Sequence, residues 1–228
     1  MWSAQIFTLY PEIFPGPLSE GIYGKALSNK IWDLKVVNIR DAAKDKHKTV
    51  DDTPFGGGSG MLLKADILAN SIDFNKQKEG RIFYLSPKGK KFDQKLAKEL
   101  SKEKSLSLIC GHFEGVDERI LSTRKIEEIS VGDYILSGGE TASYIVLDSI
   151  IRLLPGVLGN EQSKRDESFE NSLLEYPQYT KPQVWEEKNV PEVLLSGDHS
   201  KIKDWRLSQS EAITRVRRPD LWEKYKKN

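Results

Sequence analysis

The chain has 228 residues, of which 38% are apolar and 30% are charged, with a formal net charge of +1. This composition can build a core, and the overall charge balance indicates no particular partner. A single cysteine, Cys110, excludes an intrachain disulfide and a cysteine-based zinc site. We predict a core position for it rather than a nucleophilic role. The three histidines are scattered, so no metal site is predicted.

The N-terminal residues lack the basic segment of a signal peptide. No apolar run approaches the roughly 18 residues that a transmembrane helix needs. We therefore expect a soluble, cytoplasmic protein that does not associate with membranes.

Strand and helix patterns alternate along the first two thirds of the chain. The predicted strands are Trp2–Tyr10, Ile31–Ile39, Arg81–Leu85, Ser105–Cys110 and the extended run Ile129–Leu136; the predicted helices are Leu18–Asn29, Met61–Phe74, Asp93–Lys102, Asp117–Thr123 and Thr141–Leu154. Such alternation predicts an α/β fold in which helices cover both faces of a parallel sheet. The last of these helices is apolar on most of its circumference, which is typical of a core helix or a subunit interface.

The composition changes after Pro155-Gly156. We predict a sheet domain over residues 1–158, a linker over 159–182 and a small helical domain over 183–228. In the last domain, Ser200 is the expected N-cap of a helix over Lys201–Arg217. From Lys201 to Asn228 there are nine Lys or Arg residues against four Asp or Glu residues. This excess fits either a solvated basic helix or an anionic partner such as nucleic acid.

Three predicted strands each lead into a glycine-containing loop, at Ser86–Gly89, Gly111–Gly115 and Ser137–Gly139. Parallel sheets bind ligands at the carboxyl ends of their strands, and glycine allows a ligand to approach the backbone closely. We therefore predict one pocket built from the three loops. Arg152, at the end of the apolar helix, could hold an oxyanion, and Asp166 or Glu167 in the adjacent linker could take a proton. With the pocket, these residues predict a general-base site for a nucleotide-like ligand.

A further glycine-rich segment, Gly56–Gly60, lies in a long polar loop. It has neither the Gly-Lys-Ser/Thr ending of a phosphate-binding P-loop nor the spacing of a dinucleotide fingerprint. It is either a mobile surface loop or a ligand-contacting one.

The motifs of the chain resemble, nearly end to end, those of the bacterial tRNA (guanine-N1)-methyltransferases, the TrmD family of the SPOUT class. The matching stretches are Leu9–Phe14, Thr49–Met61, Tyr84–Gly89, Cys110–Arg119, Ser130–Glu140, Pro155–Gly159, Leu174–Pro182 and Leu194–His199. The resemblance implies methyl transfer to the guanosine on the 3′ side of the anticodon. It also implies a C-terminal trefoil knot in the sheet domain, which the residue pattern alone would not predict.

The cofactor implied by the resemblance is S-adenosyl-L-methionine, bound in the knot. By motif, its contacts are Leu85, Ser86, Pro87, Gly89, Gly111, Glu114, Ser130, Val131, Gly132, Asp133, Tyr134, Ile135, Leu136, Gly138 and Gly139. Family members are homodimers with active sites shared between chains, which would account for an apolar Thr141–Leu154. An Mg²⁺ requirement is also implied, for which Glu114 or Glu167 could supply a ligand.

The family's general base is an Asp before Ser-Phe, and this chain has Glu167 there, with Asp166 preceding it. We expect Glu167 to be the base, Asp166 the reserve, and Arg152 to stabilise charge on guanine O6. His112-Phe113 is a second departure, since many members have Arg-Tyr.

The small domain is expected to hold the anticodon stem while the linker orders over a flipped-out base. Predicted tRNA contacts are Gly57, Gly58, Met61, Ser168, His199, Lys201, Arg206 and Arg215. Two alternatives remain at this point. One is a SPOUT methyltransferase of another RNA, and the other is an RNA-binding protein with impaired catalysis.

Overall fold

The computed structural model describes residues 1–75, 77, 79–159, 168–169 and 171–227. The chain divides into two compact units, Met1–Gly159 and Asn160–Asn228. The division into a sheet domain, a linker over 159–182 and a helical domain stays a prediction. Within the described ranges, no helix combines the length and the apolar character needed to cross a bilayer.

The first unit alternates strands and helices. Its strands are β1 (Trp2–Thr8), β2 (Trp32–Asn38), β3 (Asp51–Asp52), β4 (Leu62–Leu63), β5 (Arg81–Lys91), β6 (Ser105–Ile109) and β7 (Glu127–Ser130). Its helices are α1 (Gly21–Ser28), α2 (Ala65–Asn75), α3 (Gln94–Leu100), α4 (Glu118–Thr123) and α5 (Gly139–Ile151). Short 3₁₀ turns occupy Pro11–Ile13, Gly16–Ser19 and Ile39–Ala42.

Five of these strands form one sheet in the order β2-β1-β6-β5-β7, and every neighbouring pair is parallel. Alternate residues of β1 enter two separate cores. Ala4 and Ile6 pack in the core with α1, α3 and α5, whereas Phe7 packs with α2 and α4. Both faces are therefore covered, so the neighbouring strands β1 and β6 are buried along almost their whole length. The predicted α/β class is confirmed. The trefoil knot stays a prediction, because the order of strands in a sheet does not show whether the chain is knotted.

The strand predicted over Arg81–Leu85 is longer than expected. β5 continues to Lys91, and its register against β7 shifts so that both Leu85 and Lys90 are aligned with Ile129. Ser86–Gly89 is thus an irregularity inside a strand rather than a loop between a strand and a helix. A Cβ on Gly89 would lie 2.3 Å from the Ile129 backbone N, so only glycine lets the chain return against β7.

The run predicted over Ile129–Leu136 is shorter as a strand. β7 ends at Ser130, and a loop over residues 131–138 leads directly into α5. α5 buries Leu147, Ile150 and Ile151, but Ile145 is 41% exposed. The helix is therefore apolar towards the core and carries one solvent-accessible apolar side chain outward.

The second unit contains the strand pair β8 (Val184–Trp185) and β9 (Lys188–Asn189), a 3₁₀ turn at Glu192–Leu195, and helices α6 (His199–Arg217) and α7 (Pro219–Tyr225). Described residues that precede β8 contact α6. The Leu174 backbone N–H donates to Thr214 Oγ1 at 2.8 Å, and the guanidinium of Arg206 lies 4.8 Å from the centre of the Tyr176 ring. The outer side of α6 carries one strongly exposed apolar residue, Val216, which is 79% exposed.

The N-cap of α6 is Asp198, and the prediction of Ser200 was wrong. The Asp198 carboxylate accepts hydrogen bonds from the backbone N–H groups of Ser200 and Lys201, both at 3.1 Å. These bonds, first of all the one from Lys201, hold the pKa of Asp198 below its usual value. Asp198 satisfies two N–H groups that have no partner inside the helix.

We predict that Asp198→Ala lowers the melting temperature at neutral pH, whereas Ser200→Ala leaves it nearly unchanged. Because the folded pKa of Asp198 is depressed, its stabilising contribution is present above the unfolded pKa of about 3.9. It is lost as the pH falls through the lower folded value. Thermal unfolding at pH 7 and pH 3 measures this, and an equal effect of the Ser200 variant at pH 7 would contradict the assignment.

Candidate functional site

A cavity of about 290 Å³ opens at the carboxyl ends of β5, β6 and β7. Its walls come from residues 84–88, 111–116, 128–132 and 134–139, together with Glu118, Leu121 and Ala142. The three segments predicted from their glycines therefore do meet in one place. They meet because β6, β5 and β7 are adjacent and parallel, so their ends lie at one edge of the sheet.

Most of the residues predicted to contact a cofactor line this cavity. They are Leu85, Ser86, Pro87, Gly111, Glu114, Ser130, Val131, Gly132, Tyr134, Ile135, Leu136, Gly138 and Gly139. Gly89 and Asp133 do not line it; Gly89 packs against the β7 backbone, and Asp133 is exposed. Contact with a cofactor itself stays a prediction.

Glycines form the walls where two segments approach most closely. A Cβ on Gly111 would lie 2.6 Å from atoms of the Tyr84 ring and hydroxyl, and a Cβ on Gly139 would lie 2.6 Å from Cys110 Cα. The Gly139 N–H donates to Gly111 O at 3.0 Å. A side chain at Gly139 would push α5 away from the end of β6, and one at Gly111 would displace the Tyr84 ring, so packing favours glycine at both positions.

Two polar residues that the sequence analysis missed, the buried Tyr84 and the partly buried Glu128, lie side by side in the wall. They are paired across β5 and β7. Burial raises the pKa of Tyr84 to about 12, and the carboxylates of Glu128 and Glu118 add to this effect. Glu128 Oε1 is buried and has no hydrogen-bond partner in the structure. Only the strand order could have revealed this pair.

A second set of polar residues connects three elements beneath the cavity. His112 Nε2 lies 2.8 Å from Glu140 Oε2, and Thr8 Oγ1 donates to Glu140 Oε1 at 2.6 Å. Glu140 is in the first turn of α5, where a negative charge is favoured by the helix dipole. Cys110 beside them is fully buried, which raises the pKa of its thiol well above the usual value. The predicted core position of Cys110 is confirmed.

Arg152 does not line the cavity. It is the C-cap of α5, and a helix of 13 residues at about 1.5 Å each separates it from Gly139 by roughly 20 Å. Burial and the neighbouring Asp148 raise the pKa of Tyr23 to about 12. The positive charge of Arg152 acts on the same hydroxyl in the opposite direction. Asp166 and Glu167 lie outside the described residues.

The predicted tRNA contacts belong to both units. In the first, Gly57 and Gly58 are exposed with positive φ, and the Met61 carbonyl accepts a hydrogen bond from the Glu114 N–H at 2.9 Å. The glycine-rich segment thus borders the cavity at Glu114. Gly60 also packs there, since its Cβ would lie 2.4 Å from Glu114 Cγ.

In the second unit, Ser168 Oγ accepts a hydrogen bond from the Glu175 N–H at 3.0 Å. His199, Lys201 and Arg215 are exposed on α6. Helical geometry places Lys201 and Arg215 within about 40° of each other around the helix axis, whereas Arg206 is about 140° from Lys201. Arg206 stacks on Tyr176 instead, and its Nε is buried without a hydrogen-bond partner.

Comparison with known proteins gives agreement over almost the whole chain. The family model described as tRNA (Guanine-1)-methyltransferase TrmD matches residues 2–224. A tRNA (guanine-N(1)-)-methyltransferase of Pelagibacter ubique is 85% identical over 228 residues, which is 100% of both chains. Proteins of the same name from Bartonella tribocorum and Rhodospirillum rubrum are 55% and 52% identical, covering 97% and 93% of those proteins.

The chain belongs to the tRNA (guanine-N1)-methyltransferase family. The family is one of enzymes, and the resemblance of the motifs is confirmed. Among the residues with described positions, no group of three or more His, Cys, Asp or Glu side chains could hold a metal ion. The Mg²⁺ requirement stays a prediction for this family member.

We predict that Gly139→Ala lowers the free energy of unfolding by more than about 1 kcal/mol, because the added methyl would meet backbone that cannot move away. The same change should weaken binding of S-adenosylhomocysteine, the methyl-free form of the predicted cofactor. Gly159→Ala is the matched control, since nothing lies within 4 Å of its Cβ position. Denaturant unfolding and calorimetry measure the two effects, and wild-type behaviour of Gly139→Ala would contradict the packing argument.

Proposed function

We propose that this chain transfers the methyl group of S-adenosyl-L-methionine to N1 of the guanosine on the 3′ side of the anticodon in tRNA. One observation supports this above all. In this chain of the tRNA (guanine-N1)-methyltransferase family, 13 of the 15 residues that the motifs predicted as cofactor contacts line one and the same cavity.

The cavity fits such a cofactor. Its wall combines apolar residues such as Leu85 and Val131 with glycines that would let an adenine ring approach the backbone. Glu128 lines the wall, and its buried Oε1 has no hydrogen-bond partner in the structure. Together with Glu114 and Glu118, it gives the wall a negative character that favours a cation. The bound cofactor would supply a methyl group on a positively charged sulfur.

The remaining chemistry falls to the protein. Guanine N1 carries a proton and is a poor nucleophile, so a base must remove that proton during the transfer. We assign this role to Glu167, with Asp166 as the reserve. As the proton leaves, negative charge develops towards O6, where a guanidinium would stabilise it. We assign that role to Arg152.

Arg152 lies at the far end of α5 from the glycines of its own cavity, which supports an active site shared between two chains of a homodimer. In an isologous dimer, a residue near the interface of one chain can face the partner's cavity if that cavity also opens at the interface. The 41% exposure of Ile145, on the outer side of α5, provides an apolar contact for such a dimer.

For tRNA, we propose phosphate contacts from Lys201 and Arg215, which share one side of α6. Arg206 is more suited to holding Tyr176 in place than to meeting phosphate, since it is stacked on that ring. His199 and Ser168 would contribute from the same unit, and Gly57, Gly58 and Met61 from the loop that borders the cavity. The target base would be flipped out towards the cofactor. Acting on tRNA, the enzyme would work in the cytoplasm.

The direct test is methyl transfer from labelled S-adenosylmethionine to a tRNA transcript with guanosine 3′ of the anticodon. A control transcript differs only in that base. We expect labelling of the first and none of the second. Labelling of ribosomal RNA but not of tRNA would favour another RNA substrate, and cofactor binding without any transfer would favour a binding protein.

We predict that Glu167→Gln lowers kcat by at least about 100-fold, since a positioned base typically contributes that much or more. The binding of S-adenosylhomocysteine should change little. Asp166→Asn is the comparison, with a smaller expected loss in kcat. Single-turnover kinetics measures both variants, and full activity of Glu167→Gln would reject Glu167 as the base.

A mixing experiment tests the shared site. Arg152→Ala should be inactive for lack of the O6 contact, and Leu136→Arg should be inactive because the new side chain fills the cavity. If each site uses one chain's cavity and the partner's arginine, an equal mixture after subunit exchange should regain about a quarter of wild-type activity, because half the dimers have one complete site. No recovery in mixtures with demonstrated subunit exchange would place both groups on one chain.

A further inference from the structure

The carboxylate of Glu140 lies near the cavity, accepts several hydrogen bonds and has no role in the proposed chemistry. The Glu140 side chain is only 8% exposed, yet three bonds reach it from two directions. His112 Nε2 lies 2.9 Å from Oε1 and 2.8 Å from Oε2, and the Thr8 hydroxyl donates to Oε1 at 2.6 Å. A buried carboxylate is costly unless it is satisfied in this way.

The network continues beyond Glu140. The Tyr10 N–H donates to Thr8 Oγ1 at 2.9 Å, so the Thr8 hydroxyl accepts one hydrogen bond and donates another. The His112 ring meets the Tyr10 ring edge-on, with centroids 5.0 Å apart. Bonds arranged in series polarise and strengthen one another in a dry environment.

These residues come from three separate elements. Thr8 ends β1, His112 follows β6, and Glu140 begins α5. His112 and the neighbouring Gly138 line the cavity, whereas Thr8 and Glu140 do not. A Cβ on Gly138 would lie 2.3 Å from His112 Cε1 and 2.7 Å from Glu140 Oε2, so the network also presses against the last loop before α5.

We propose that Thr8, His112 and Glu140 are positioning residues that fix the two cavity loops around Gly111 and Gly138 relative to each other. Thr8 and His112 hold the Glu140 carboxylate in one place. Glu140 in turn orients the His112 ring that forms part of the wall. This inference rests on the proposed function, since the affinity it concerns is that for the adenosyl cofactor.

Thr8 provides the sharpest test, because it is fully buried and lies outside the cavity wall. Thr8→Val removes the hydroxyl while keeping the shape, and Thr8→Ser keeps the hydroxyl. At His112, the pair is His112→Leu, which loses the donor, and His112→Gln, whose amide nitrogen can replace Nε2. His47→Leu, at an exposed histidine of another loop, is the matched control.

The dissociation constant of S-adenosylhomocysteine is measured by calorimetry at a temperature at which thermal unfolding shows every variant to be folded. We expect Thr8→Val and His112→Leu to weaken binding about tenfold, as loss of one hydrogen bond to a charged group would. Thr8→Ser and His112→Gln should stay within about threefold of the wild type by the same scale. His47→Leu should bind as the wild type does.

Lower melting temperature with unchanged affinity in Thr8→Val and His112→Leu would overturn the inference, because the network would then stabilise the fold alone. The inference would also be overturned if His112→Gln bound S-adenosylhomocysteine as weakly as His112→Leu does. If the wild-type protein itself failed to bind S-adenosylhomocysteine, the proposed function would be wrong and the inference would fall with it. The two failures are therefore distinguishable.

Discussion

The close approach of α5 to the end of β6 is the contact on which the candidate site depends. Gly139 meets the backbone of Cys110 and Gly111 so closely that a single methyl group would separate them. The loop over residues 131–138 leads into this contact and lines the cavity along most of its length. The shape of the cavity therefore depends on glycine at position 139, because no larger residue fits between the start of α5 and the end of β6.

Two carboxylates near this contact, those of Glu140 and Glu128, differ in their hydrogen-bond partners. Beneath it, Glu140 is buried and satisfied by Thr8 and His112, so its charge acts within the protein. In the cavity wall, Glu128 is partly buried and its Oε1 has no hydrogen-bond partner in the structure. The two carboxylates therefore differ in how far the protein itself satisfies them.

The basic residues follow a different rule. Lys201 and Arg215 are exposed on α6 and can interact with an anionic partner over a distance, with strength that falls as salt is added. Arg206 has the same charge but is stacked on Tyr176, where it contributes to packing. A count of the basic residues along α6 gives the excess of positive charge. It does not distinguish a basic side chain that faces solvent, such as Lys201, from one that packs on an aromatic ring, such as Arg206.

By itself, the sequence determined the α/β class, the order of the five sheet strands and of the helices between them, and the three glycine-containing segments that line the cavity. These follow from local periodicity and from glycines near strand ends. Motif resemblance also determined the family. Only the tertiary structure decided that β5 runs on past Leu85, that Asp198 caps α6, and that Tyr84 and Glu128 share a wall. It also decided that Arg152 lies far from its own chain's cavity. Each of these depends on which segments become neighbours in space, and a one-dimensional pattern records the residue types but not their neighbours.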